Sequence, residues 1–139
     1  MKNFRLRVLI SILVALTTFG LASPAHAAEF GVIEYDQFHD VLHPLVHEAL
    51  PAKDFQRIRS NAAELLKRGD AIVRLGVPKN TAGAQAEEFR RELKKFADAL
   101  SKFRQHSQRG TDEQLEVSFS AVHDSFEMLA GMLPPKKSN

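Results

Sequence analysis

Residues 86–103 read AEEFRRELKKFADALSKF, and this stretch decides the fold. Its apolar residues recur in alternating steps of three and four, the spacing of one buried face on an α-helix, while charged residues fill the other faces. The pattern predicts a long amphipathic helix that needs other helices or a sheet to cover its apolar face. The buried seam is predicted to contain Ala86, Phe89, Leu93, Phe96, Leu100 and Phe103.

Three further seams keep the same spacing, two before this helix and one after it. Short links join them and no strand pattern occurs, so the sequence predicts an all-α fold, either an antiparallel four-helix bundle or paired helical hairpins. Their members are Tyr35, Phe38, Leu42, Leu45 and Ala49; then Phe55, Ile58, Ala62, Leu65, Gly69 and Ile72; then Leu115, Phe119, Val122, Phe126, Leu129 and Leu133.

Breaker and capping residues predict where these helices end. The first helix is predicted to begin near Glu34, after a frayed lead-in over residues 28–33, and the second to run from about residue 52 to 75. Thr111-Asp-Glu-Gln114 is a capping-box pattern that opens the fourth helix, and Pro134-Pro135 closes it.

Pro44 interrupts the first seam. A proline inside a helix lacks the amide N–H and clashes with the carbonyl four residues earlier, here that of Asp40. Either the helix kinks at this point, or one helix ends and another begins with Pro44 in its first position. Both alternatives predict irregular backbone beside His43.

The first 27 residues have the pattern of an export signal. Three basic residues precede an apolar run, and Ala25-His26-Ala27 is an A-x-A cleavage site, so we expect cleavage after Ala27 and a periplasmic or secreted protein. An uncleaved anchor is the alternative, although the apolar run is short for a span of about 20 residues. The expected organisation is a signal at 1–27, one four-helix domain at 28–135 and a polar tail at 136–139.

Composition excludes several classes of function. Without the signal and its three basic residues, 16 basic residues face 17 acidic ones, so a net charge of −1 argues against a nucleic-acid partner. The chain has no cysteine, which excludes thiolate chemistry, cysteine-ligated zinc and covalent haem attachment. It also lacks a glycine-rich phosphate loop and a nucleophile elbow, so we do not expect an enzyme.

The candidate site is a set of three histidines spaced four residues apart, His39, His43 and His47. On a helix this spacing forms one slowly drifting stripe, and imidazole is a frequent ligand of transition metals. A stripe of this kind offers at most two well-aimed ligands to one ion. The alternative is a solvent-exposed helix face without a metal, on which the imidazoles form hydrogen bonds to water or to Asp36, Asp40 and Glu48.

Helix 4 is predicted to complete the site. If Glu34 lies level with Leu133 in an up-down bundle, His123 and Glu127 fall at the height of His39 and His43. Hairpin symmetry brings Glu64 of helix 2 to the same level. These donors would suit Zn²⁺, Cu²⁺, Ni²⁺ or Co²⁺, and a thioether from Met128 would shift the preference towards copper.

The motif His43-Pro-Leu-Val-His47-Glu-Ala-Leu-Pro51, with Val122-His123 and Phe126-Glu127-Met128 far downstream, resembles periplasmic heavy-metal-resistance proteins, including nickel/cobalt sensors. The resemblance implies a small all-helical dimer and metal ligands at His43, His47, Glu64, His123 and Met128. It also implies a membrane-anchored signalling partner.

Two features depart from this pattern. Pro44 lies between the paired histidines, and the five-residue step from His123 to Met128 turns the thioether away, so Glu127 is the better-placed ligand. The family motif selects His43 with His47, whereas the bundle register selects His39 with His43.

We therefore expect an exported helical protein that senses, buffers or confers resistance to a divalent transition metal through its histidine cluster. The alternative is a metal-free periplasmic adaptor or chaperone-like protein. A third reading rests on similarity to exported four-helix cytochromes and would require a b-type haem.

Overall fold

The computed structural model describes residues 29–79 and 81–134, and these form a four-helix bundle without strands. The predicted signal and polar tail lie outside the described residues. The helices are α1 (Ile33–Pro44), α2 (Phe55–Leu75), α3 (Gly83–Arg109) and α4 (Asp112–Gly131), and a π turn at Leu45–Ala49 continues α1. In the part of the chain described, no helix is both long and apolar enough to cross a membrane.

Helices α1 and α2 pack antiparallel, and so do α3 and α4, in which Phe96 meets Phe126 and Phe103 meets Phe119. Gln37 of α1 bonds Arg68 of α2 and Glu48 bonds Arg57, so residue numbers rise along one helix as they fall along the other. The predicted seams meet between the helices, and every seam residue is buried except for three partly buried ones, Phe55, Leu93 and Leu133.

The Phe126 ring of α4 contacts five other aromatic rings, one of which is an imidazole. Its ring centroid lies between 4.8 and 6.5 Å from those of its neighbours, which is the range of favourable aromatic pairing. The neighbours come from the N-terminal segment, α1 and α3, so one side chain of α4 links three other parts of the chain. They are Phe30, Tyr35, Phe38, His39 and Phe96.

Two helix ends differ from the prediction. Helix α2 begins at Phe55 rather than near residue 52, because Asp54 caps it by accepting a 3.0 Å hydrogen bond from the Arg57 amide. Helix α4 ends at Gly131, short of the predicted proline stop. The capping box at Thr111, which opens α4, is confirmed, with both reciprocal bonds to Gln114 present.

The lead-in is ordered, so the prediction of a frayed segment was wrong for residues 29–32. The amides of Glu29 and Phe30 donate to Asp36 Oδ1 at 2.7 and 2.9 Å, and the Phe30 ring packs on the core. We call residues 29–32 the N-terminal strap. A single carboxylate satisfying two backbone donors gives this strap its anchor.

The chain stays helical through Pro44, so the alternative in which a new helix starts there was wrong. The backbone is irregular beside His43, as expected, because the π turn follows directly. Its signature is a 2.9 Å bond from the Leu50 amide to the Leu45 carbonyl, five residues earlier. Such wide turns occur where a regular helical ladder is disturbed, and proline removes one donor from that ladder.

Candidate metal site

The three histidines of α1 and the π turn form one stripe, which we call the histidine stripe. The ring centroids of His39 and His43 are 5.2 Å apart, and those of His43 and His47 are 4.4 Å apart. In an α-helix of 3.6 residues per turn, two residues four apart are rotated by slightly more than one full turn about the helix axis. In the wider π turn the same step rotates by slightly less than one full turn. The two deviations have opposite signs, so the three rings lie closer to one straight line than they would on a regular helix.

His39 is the most enclosed of the three. Its side chain is 22% exposed, whereas His43 and His47 are exposed residues. The imidazole stacks on Phe126 at 6.1 Å with an interplanar angle of 17°, and the Phe30 ring lies 5.3 Å away in a T-shaped arrangement. Its Nδ1 atom lies 3.3 Å from Glu29 Oε2 of the strap.

A groove of about 420 Å³ runs beside the stripe and has several carboxylates in its wall. Two of them are engaged, since Asp36 holds the strap and Glu48 forms a 2.8 Å ion pair with Arg57. Glu29 was missed by sequence reasoning because it lies in the lead-in, outside any periodic pattern. The lining residues are Glu29, Asp36, His39, Asp40, His43, Pro44 and Glu48.

His123 and Glu127 lie together on α4, as their spacing predicts. The Nε2 atom of His123 is 3.9 Å from Glu127 Oε1, and Nδ1 is 3.2 Å from Asp124 Oδ1. His123 keeps 31% of its side chain exposed. His123, Asp124 and Glu127 therefore form a cluster of one imidazole and two carboxylates at the rim of the core.

The predicted register between α1 and α4 was wrong by about one turn. Alignment of Glu34 with Leu133 would put Phe126 opposite Val41, but the Phe126 ring contacts Tyr35, Phe38 and His39 instead. Helix α4 ends before Leu133, so the residues assumed to be level are not equivalent helix ends.

Glu64 does not reach the histidine stripe. Arg68 bonds its carboxylate at 2.6 Å and also bonds Gln37 at 2.7 Å, which puts Glu64 beside the Gln37 face of α1. Gln37 and His39 lie two residues apart and therefore point to nearly opposite sides of that helix. The hydrogen bond from Arg68 lowers the pKa of the Glu64 carboxyl below its usual range.

Met128 also lies away from the stripe. It is 56% exposed and lines a groove between α3 and α4 with residues such as Lys95, Lys102 and Ala121. The turn of Met128 away from the histidines agrees with the five-residue step that separates it from His123.

As folded, residues 29–79 and 81–134 contain no three His, Asp or Glu side chains grouped closely enough to hold one metal ion. His39 and His43 do line one groove with carboxylates, and imidazole and carboxylate are side-chain types that bind transition metals in proteins. No protein-family model matches the chain, and neither curated proteins nor solved structures give a significant match.

Proposed function

We propose that this protein binds a divalent transition metal at the histidine stripe, with His43 as the central ligand. The observation that carries the proposal is the pair of short ring spacings on either side of His43, 5.2 and 4.4 Å. Two imidazoles one helical turn apart are a common bidentate metal-binding unit. Small side-chain rotations would aim both rings at one ion, because His43 is exposed.

A carboxylate would complete the coordination. Asp40 lines the groove with His39 and His43 and offers a hard oxygen donor beside the imidazoles. This donor set suits Zn²⁺, Ni²⁺, Co²⁺ or Cu²⁺. The cluster of His123, Asp124 and Glu127 is a separate and weaker candidate, and Glu64 and Met128 are poorly oriented for either.

The biological role we propose is sensing, buffering or resistance rather than catalysis. It rests on the export signal expected at residues 1–27 and on the resemblance to periplasmic metal-resistance proteins. Within that reading, the partners are the metal ion, a second copy of the chain and a membrane-anchored signalling protein.

Calorimetric titration of the chain from residue 28 onwards with Zn²⁺, Ni²⁺ and Cu²⁺ tests the proposal. His43→Ala should abolish the tightest binding event, and His123→Ala should leave it nearly intact. His106→Ala is the matched control, because the His106 ring bonds the Gln114 carbonyl at 3.0 Å in the α3–α4 turn. Equal, weak binding by the wild type and His43→Ala would refute metal binding at the stripe.

Thermal unfolding gives an independent readout. A metal that binds only the native state should stabilise it by about 2.7 kcal/mol at 100 times its dissociation constant. The stabilisation should vanish on addition of a chelator and be absent in His43→Ala.

The second candidate function is a metal-free helical adaptor. The observation in its favour is the α3–α4 groove of about 540 Å³, together with the exposed apolar residues Val117 and Met128 on α4. Val117→Asp with Met128→Asp would reduce self-association or partner capture if this surface is used. Loss of association in that variant, without any metal-dependent stabilisation of the wild type, would favour the adaptor.

A further inference from the structure

We propose that Glu29 is a positioning residue that orients His39 as the second metal ligand beside His43. The inference rests on the proposed metal-binding function and selects between His39 and His47. It starts from the 3.3 Å approach of Glu29 Oε2 to His39 Nδ1.

A carboxylate at one ring nitrogen fixes the tautomer of a neutral imidazole. With Glu29 Oε2 3.3 Å from Nδ1, a lone pair on Nδ1 would face a carboxylate, so the tautomer with the proton on Nδ1 is favoured and the Nε2 lone pair is left for the metal. Histidines that bind metals commonly donate their other ring N–H to a carboxylate in this way, and loss of that carboxylate typically costs 10–100-fold in metal affinity.

The strap that carries Glu29 is fastened at two points. Asp36 Oδ1 accepts the amides of Glu29 and Phe30, and the Phe30 ring packs against Tyr35, His39 and Phe126. These contacts hold the backbone that carries the carboxylate against the bundle.

The imidazole of His39 is held as well. Phe126 stacks on it and Phe30 packs against it in a T-shaped arrangement, so the ring is only 22% exposed where it lines the groove. His43 also lines this groove, whereas His47 does not. A ligand whose orientation is fixed before binding loses less conformational freedom, which favours His39 over His47 despite the shorter ring spacing of the latter pair.

The test measures the His39 tautomer directly in metal-free protein. Long-range ¹H–¹⁵N NMR of the wild type at about pH 8.5, where free imidazole is neutral, should show the proton on Nδ1. Glu29→Ala should move the population towards the Nε2–H form. Glu29→Gln should keep the wild-type tautomer, because its amide oxygen also accepts. Glu88→Ala, an exposed carboxylate on α3, is the control and should change nothing.

Metal titrations of the same proteins with Ni²⁺ and Zn²⁺ complete the test. We expect a 10–100-fold loss of affinity in Glu29→Ala, largely restored in Glu29→Gln. An unchanged tautomer in Glu29→Ala overturns the role of Glu29, as does an unchanged affinity where the wild type binds metal. A wild type that binds neither metal overturns the proposed function instead.

Discussion

The Tyr35 hydroxyl is buried in the core without a hydrogen-bond partner among the described residues. Leaving such a group unsatisfied costs about 1–3 kcal/mol. Burial, with a smaller contribution from Glu34, raises the pKa of Tyr35 well above its usual range. The folded protein therefore strongly disfavours the phenolate.

We predict that Tyr35→Phe leaves the fold intact and raises the free energy of unfolding by up to about 1 kcal/mol, since it removes an unsatisfied group. Urea denaturation at neutral pH measures this change. A clear loss of stability would mean that the hydroxyl has a partner in solution.

The raised pKa of Tyr35 also predicts an alkaline loss of stability. Above about pH 10 the unfolded chain releases the phenolic proton while the folded chain keeps it, so the free energy of unfolding falls by about 1.4 kcal/mol per pH unit. Tyr35→Phe should lack this contribution. Tyr35 is the only tyrosine and the chain has no tryptophan, so phenolate absorbance reports on this residue alone.

Gly69 is predicted to be required for packing. A Cβ atom there would lie 2.7 and 2.8 Å from the two methyl carbons of Leu100, which is itself buried. Overpacking of this kind costs about 1–3 kcal/mol, which exceeds the helix-propensity gain of about 1 kcal/mol. Gly69→Ala should therefore destabilise the protein in urea. Gly131→Ala, which meets nothing within 4 Å, should be neutral or stabilising, and the same sign in both would contradict the argument.

Among the helices, the α3–α4 turn is fastened to α2 by Arg59. Its guanidinium donates to the carbonyls of His106, Ser107 and Gly110 at 2.8–3.1 Å and to the Asp112 carboxylate at 3.0 Å. These carbonyls lie at the C-terminal end of α3, where backbone acceptors run out of helical partners, although the His106 carbonyl also accepts from the Gly110 amide at 2.9 Å.

We predict that Arg59→Ala lowers the free energy of unfolding by about 1–3 kcal/mol, with the partial exposure of the side chain favouring the lower end. Arg59→Lys should recover less than half, because an ammonium cannot reproduce the planar fork. Arg57→Ala breaks only the ion pair with Glu48 and should cost less than about 1 kcal/mol. Equal effects of Arg57→Ala and Arg59→Ala in chemical denaturation would refute this role of Arg59 at the α3–α4 turn.

The helices themselves were largely predictable because their signals are local. The seam of α3 and the capping box at Thr111 are each encoded within a few residues, and both are confirmed. The π turn after Pro44 was not predictable, because a proline breaks the pattern of helical hydrogen bonds without specifying which pattern follows it. The ordered strap was missed since it depends on Asp36 and Phe126, contacts that no periodicity reveals.

At the scale of the whole bundle, the described residues share one core to which all four helices contribute. We predict a single cooperative unfolding transition, with coincident midpoints for helix content by circular dichroism and for the environment of Tyr35 by near-ultraviolet absorbance. An earlier Tyr35 transition would show that α1 and the strap detach before the rest.

At the same scale, the site was only partly predictable. Residues that share a helix, such as His39 with His43 or His123 with Glu127, are neighbours by spacing alone. Their relation across helices depends on the register, which Phe126 sets through its contacts with α1. For Glu64, the sequence predicted the approximate height along the bundle axis but not the side of α1 that its carboxylate faces.

The position of Phe126 has a consequence for how the chain folds. Contacts between consecutive helices close short loops of the chain. The contacts of Phe126 with Phe30 and Phe38 instead join segments from opposite ends of the described chain and close much longer loops. Closing the longer loops costs more chain entropy, so we expect these contacts to form late and to break early in local opening. The end of the bundle that carries the histidines would then be the last part to assemble.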